Sequence, residues 1–212
     1  MNRTALTASV ALVLAAAGAA QADIINFVSN NAASSNNLAS FTGSVSTTVI
    51  DSLHSLVTVT VTNTSAPANG GYLTGIVIAN ENEFGSLIIN LISVTDGDFS
   101  DTSTESASPF GSFKGGAALG ANWTGGGNPT VGAAPGSTVS FTFAVNGNGA
   151  GFIPAASYIS AVNGDQQMVF RFRGFNNEGS DKVPTMLTTV PTPGATALAL
   201  VSGLMFTRRR RA

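Results

Sequence analysis

The chain of 212 residues has no cysteine, a single histidine, a single tryptophan and little charge, 9% of its residues. Without cysteine no disulfide can brace the fold, so a stable domain must rest on core packing. One histidine and no cysteine also argue against a zinc site built from side chains. Between residues 23 and 189 eleven acidic residues face four basic ones, Lys114, Arg171, Arg173 and Lys182. That balance, with no basic patch, argues against nucleic acid as a partner. No HExxH, GxSxG or phosphate-cradling glycine loop occurs. His54 has Asp51 and Ser52 as chain neighbours, which reads as a surface-turn histidine rather than a catalytic arrangement. Hydrolysis by paired carboxylates stays open, although no particular pair stands out.

What the chain does have is concentrated first at its ends. MNRTALTASVALVLAAAGAAQADII places Arg3 before an apolar stretch over residues 5–19 and then the triplet Ala20-Gln21-Ala22. This is the layout of a secretory signal peptide, cleaved before Asp23. The other end reads VPTPGATALALVSGLMFTRRRRA. Pro191 and Pro193 impose an extended linker. Residues 195–206 form an apolar run, and Arg208, Arg209, Arg210 and Arg211 follow. As a helix that run is about 18 Å long against a hydrocarbon core of about 30 Å, a marginal span that arginine snorkelling and local thinning assist. The arginines fix the direction, staying cytoplasmic while the domain faces out. The run has no polar face, which disfavours an amphipathic surface helix.

The body alternates. In LHSLVTVTVTN, Val57, Val59 and Val61 face one way and Thr58, Thr60 and Thr62 the other, the signature of a half-buried strand. STVSFTFAV repeats the rule with Val139, Phe141, Phe143 and Val145 inward, and QQMVFRFRGF sets Arg171 and Arg173 opposite Phe170 and Phe172. Further strands are expected over 24–29, 39–50, 72–79 and 86–94. Turn signals separate them, among them Asn69-Gly70-Gly71, Asp96-Gly97 and Asn163-Gly164. Seven or eight strands without a long helix predict an all-β domain over residues 23–189, a single antiparallel sandwich of jelly-roll or immunoglobulin-like outline. A helical turn or two is expected over 153–162, with Pro154 at its start. Residues 111–137, rich in glycine and proline, read as one long loop.

Candidate ligand residues are few. VTDGDFSDTSTE alternates carboxylates in a Gly-containing loop, so Asp96, Asp98 and Asp101 are the candidate calcium residues, with Glu105 beside them. The spacing misses the EF-hand at its sixth and twelfth positions, and solvated loop carboxylates are the plainer reading. No other cofactor is expected. Trp123, Tyr72 and Tyr158 are the nominal aromatic platform for a glycan, against the reading in which Trp123 pins its own loop to the core. Arg171 and Arg173, with Asp165 and Asp181, read as a sheet-surface ion-pair set.

The two ends together, with Val190, Pro191, Thr192, Pro193 and Gly194 ahead of the apolar run and the arginines, resemble the PEP-CTERM sorting domain of bacterial envelope proteins. In that family the motif is Pro-Glu-Pro; here Thr192 replaces Glu. The resemblance implies a transient inner-membrane anchor recognised and cleaved by an exosortase-like enzyme, after signal peptidase has acted at the other end. The body resembles extracellular domains that travel with this tail through two phrases, VTVTNTSAPANGGYLTG and RFRGFNNEGSDKV, and those domains imply no activity. The resulting expectation is an exported envelope or biofilm-matrix structural protein without catalysis, sorted to the cell surface or beyond. An exopolysaccharide-binding module is the second reading, and a carboxylate hydrolase the third.

Overall fold

A computed structural model describes residues 23–124 and 127–188. The expected signal segment up to Ala22 and the sorting segment from Val190 onward lie outside the described residues. Within them the chain forms one sheet of eleven antiparallel strands, folded over until its ends nearly meet. One wing carries β1 (Asp23–Ser29), β2 (Phe41–Val49), β3 (His54–Asn63), β5 (Ile88–Val94) and β9 (Thr138–Asn146), in the order β5-β9-β3-β2-β1. The other carries β4 (Gly70–Asn80), β6 (Phe99–Asp101), β7 (Glu105–Ser106), β8 (Ser112–Leu119), β10 (Met168–Phe175) and β11 (Ser180–Leu187), in the order β11-β10-β4-β8-β6 with β7 also on β8. β11 is the fold line. Its residues 180–184 pair with β10 and its residues 185–187 with β1.

Alternation explains the first wing. Val57, Val59 and Val61 of β3 lie opposite Phe143, Phe141 and Val139 of β9, all fully buried. Burying each such side chain is worth about 1.5–3 kcal/mol. On the other face the same register sets threonine and serine opposite each other. Thr58–Thr142, Thr60–Ser140 and Thr62–Thr138 join through their hydroxyls at 3.2, 2.7 and 2.7 Å. Such cross-strand pairs add a few tenths of a kcal/mol each, up to about 1. Phe27, Phe41, Phe170 and Phe172 cluster at the join between the wings, with contacting ring centroids 4.6–6.0 Å apart.

The second wing is buried on both sides. Ile76 and Ile78 of β4 belong to the main core, while Val77 packs with Phe113, Trp123 and Val169 in a second cluster on the outer side. The segment expected as one loop over 111–137 therefore starts as a central strand, β8. Gly115 and Gly116 hid it. A Cβ on Gly115 would sit 2.5 Å from Ile89, and one on Gly116 would sit 2.6 Å from Thr102 and 2.8 Å from the Ile76 carbonyl. Close approach on both sides demands small residues and erases the alternation.

The two ends of the domain differ. At the proximal end lie Asp23, the β2–β3 turn and the segment 147–161. There Asp23 accepts a hydrogen bond from the Ala155 amide at 3.1 Å, and a short 3-10 turn, Ala155–Tyr158, follows Pro154 as expected. β11 runs antiparallel to β1, and the Thr188 amide donates to the Asn26 carbonyl, so Thr188 lies on the way to the same end. The distal end holds the β1–β2 segment, the β3–β4 connection and the β10–β11 turn.

Candidate functional site

The distal end is organised by buried polar side chains. Asn63 closes β3: its amide nitrogen donates to the carbonyls of Gly71 (2.8 Å) and Ala133 (3.0 Å), and its oxygen accepts from Ser65. Asp181, fully buried, accepts four hydrogen bonds. The Ser35 hydroxyl is at 3.0 Å, and the amides of Asn36, Leu38 and Ala39 are at 2.9, 2.7 and 3.1 Å. One carboxylate thus fixes the whole 35–39 segment against β11.

These two brackets frame a hollow of about 290 Å³ lined by Asn37, Leu38, Asn69, Phe175, Asn176 and Asn177. Beyond Asn37 and Leu38, its walls come from the two phrases singled out in the sequence. Asn69 belongs to the first and Phe175, Asn176 and Asn177 to the second. β4 and β10 bring them together through the pairing Gly70–Phe175 and the Asn176 amide bond to the Asn69 carbonyl. Gly71, at φ +89°, is required beneath Phe175, since a Cβ there would lie 2.2 Å from the ring. Asn176 donates to Ala68 at 2.6 Å and Asn177 accepts from Gly179 at 3.0 Å, which orients both carboxamides. The carboxamides of Asn37 and Asn69 hydrogen-bond to no group among the described residues. No lining residue is charged. Carboxamides that donate and accept, around one buried ring edge, suit a neutral polyhydroxylated ligand. The sequence reading assigned Asn69 to a turn and missed the hollow, because its four asparagines come from three separated segments.

The residues proposed from sequence fall elsewhere. Trp123 is 1% exposed and Tyr158 is fully buried, so neither belongs to an exposed platform; Tyr72 is half-buried. Trp123 instead roofs Gly75, whose added Cβ would lie 3.1 Å from the indole, and pins its own loop to the second wing. Tyr158 stacks on Phe84 at 5.2 Å, and burial pushes its hydroxyl well above the usual range. Arg171 donates to the Trp123 carbonyl, and Asp181 is committed to residues 35–39 while Asp165 accepts from Asn82. The expected ion-pair set is therefore not assembled from these two carboxylates. Arg171 also lies beside Lys182 in register; burial first, then the Arg173 charge, holds its pKa below the usual arginine range.

Asp96, Asp98 and Asp101 do not converge. The Asp96 carboxylate caps the amide of Asp98, whereas that of Asp101 accepts from Leu91 at 3.0 Å and Ser103 at 3.3 Å. Among the described residues no group of three or more acidic, histidine or cysteine side chains is placed to hold a metal. His54 contacts Asp51 through Nδ1 at 2.8 and 2.9 Å, both about half exposed, and Asp51 also accepts from the Leu53 amide. The pair staples the β2–β3 turn, and the hydrogen bond to His54 holds the Asp51 pKa below the usual range. Comparison with known proteins finds no family model and no curated protein that matches this chain.

Proposed function

We propose that the protein is an exported component of the bacterial envelope or extracellular matrix, without catalysis, delivered through a C-terminal sorting segment. The observation that carries this reading is the order of the sequence: Arg3 with an apolar stretch and Ala20-Gln21-Ala22, an alternating body, then Val190 to Gly194, a second apolar run and four arginines. Among the described residues the sheet runs from β1 (Asp23–Ser29) to β11 (Ser180–Leu187), within the body that this order marks out. The buried core of the described residues draws on strands of both wings, from Phe27 of β1 to Val183 of β11. In this reading the folded sheet acts as a jelly-roll-like sandwich, since β3, β4, β5, β8, β9 and β10 alternate between the wings with β9 inserted between β3 and β5. The domain crosses the inner membrane, stays outside the cytoplasm on its anchor, and is released by an exosortase-like cleavage near Pro193. Fractionation of a tagged protein tests this. A chain stopped at Thr189 should fold and be lost to the medium, and replacing Arg208 to Arg211 with serine should abolish processing. Normal processing of the serine variant would remove the sorting role of the arginines.

The distal hollow favours a second reading, recognition of a neutral exopolysaccharide through asparagines rather than aromatic stacking. A glycan array with the parent and with Asn69→Ala and Asn177→Ala decides it. Binding that both variants weaken supports the reading, and binding that neither changes places the glycan elsewhere.

A further inference from the structure

Large apolar side chains left exposed in a folded domain are ordinary when scattered and informative when gathered. Here they gather. Of ten exposed large hydrophobics among the described residues, six (Ile24, Val49, Ile50, Leu53, Ile88 and Phe152) lie along the proximal edge of the first wing. The pairings make this edge continuous. Asp23 is opposite Thr47, two residues before Val49, and the Ile50 and Asp51 amides close on the His54 carbonyl. Gly147 and Gly151 donate to the Leu53 and Ser52 carbonyls, which carries Phe152 against the β2–β3 turn, and Ile88 and His54 both pair with Asn146. Phe152 is 77% exposed, held out by a 3-10 turn whose other residues, Ala150 and Gly151, are buried.

Asp23 lies at this edge, and Thr188, bound to the Asn26 carbonyl, lies three residues along β1 from it. Residues 189–194 separate Thr188 from the apolar run over 195–206. Extended at about 3.1 Å per residue, those six residues reach about 20 Å, less than a domain's width. An anchor so closely tethered leaves the proximal edge as the part of the domain nearest the bilayer.

We infer that the proximal edge is a membrane-contacting rim, whose isoleucines, Leu53 and Phe152 enter the boundary between headgroups and acyl chains while the chain is anchored. The inference rests on the sorting reading above for the anchor and adds the orientation of the domain. The distal hollow then points away from the bilayer. Charge defines the partner further. Asp23 and Asp51 lie on the rim; of the domain's four cations, Arg171, Arg173 and Lys182 lie on β10 and β11, and Lys114 of β8 is bound to the Gly85 carbonyl beside the rim. Contact is thus apolar insertion and does not depend on anionic lipid.

The absence of cysteine allows single labelling sites in the full chain. Ile50→Cys, Phe152→Cys, the distal control Val131→Cys and the tail position Ser202→Cys would each carry an environment-sensitive fluorophore, with vesicles of phosphatidylcholine or of phosphatidylethanolamine and phosphatidylglycerol. The expected result is a blue shift and loss of emission to lipid-borne quenchers at 50, 152 and 202, none at 131, in both vesicle types. Insertion at 202 with 50 and 152 still in water overturns the rim and leaves the sorting reading standing. No insertion at any site overturns both. Shifts at 50 and 152 that need no vesicles and grow with protein concentration overturn the rim in favour of a second copy of the chain. A rim signal confined to anionic vesicles refutes apolar insertion.

Discussion

Asp181→Ala should cost the domain about 4 kcal/mol. The carboxylate accepts from four donors, but they do not count equally. Ser35 and Asn36 are exposed, and water can replace the carboxylate for both. The Leu38 amide is part-buried and the Ala39 amide is buried; each loses its acceptor without access to a good substitute. An unsatisfied buried donor costs about 1–3 kcal/mol, so two give about 2–6. For a domain of this size each kcal/mol lowers Tm by about 2–4 °C, which predicts a fall of about 8–16 °C. Asp181→Asn keeps one acceptor oxygen and should lose about half as much. Thermal and urea unfolding measure both, and amide exchange at Leu38 and Ala39 should rise to the rate of exposed backbone. The loss should extend to the hollow, because Asn37 and Leu38 are held by this clip. A Asp181→Ala variant within about 1 kcal/mol of the parent would refute the assignment of Asp181 as the bracket of the 35–39 segment.

Other expectations follow from single contacts. The Tyr158 hydroxyl is buried with no hydrogen-bond partner among the described residues, so Tyr158→Phe should be neutral or stabilising by about 1 kcal/mol, and a clear loss in calorimetry would reveal a partner. Because burial raises the Tyr158 pKa in the folded state, its contribution is fully present below the unfolded value of about 10 and fades as pH rises beyond it. The parent should therefore lose stability above about pH 10 more steeply than Tyr158→Phe in alkaline titrations. Gly71→Ala combines a positive φ with a clash against Phe175 and should cost about 2–4 kcal/mol in urea unfolding, together with any glycan binding at the hollow. Asp51 has its pKa lowered by His54, so this pair supports the fold above the unfolded aspartate pKa and less as pH falls through the folded one. Both groups are exposed, and His54→Ala should leave the acid midpoint nearly unchanged.

Much of the fold was legible because half-buried strands announce themselves. β3 and β9 alternate cleanly and their burial follows the predicted faces residue by residue, while β10 does so only from Phe170 to Arg173, since Val169 is buried on the outer side. β8 was not legible because Gly115, Gly116, Ala117 and Ala118 are set by close neighbours on both faces rather than by one core face. β11 was missed for another reason. Pro184 breaks a strand pattern, yet it sits where the strand changes partner from β10 to β1, a place where a missing N–H is tolerated. The single tryptophan and the clustered aspartates drew attention in the sequence, and the structure turns them to loop packing and local caps. The hollow was illegible because asparagine in turns signals conformation first. Only the pairing of β4 with β10 shows that Asn69 and Asn177 share a wall.

The central claim, that a β-domain is exported and sorted by its two ends, is tested most directly by the intact mass of the protein recovered from the cell surface and medium. The account predicts a chain that begins at Asp23 and ends near Pro193, with Arg208 to Arg211 absent. A mass corresponding to residues 1–212, found in the cytoplasm and not outside the cell, would contradict it.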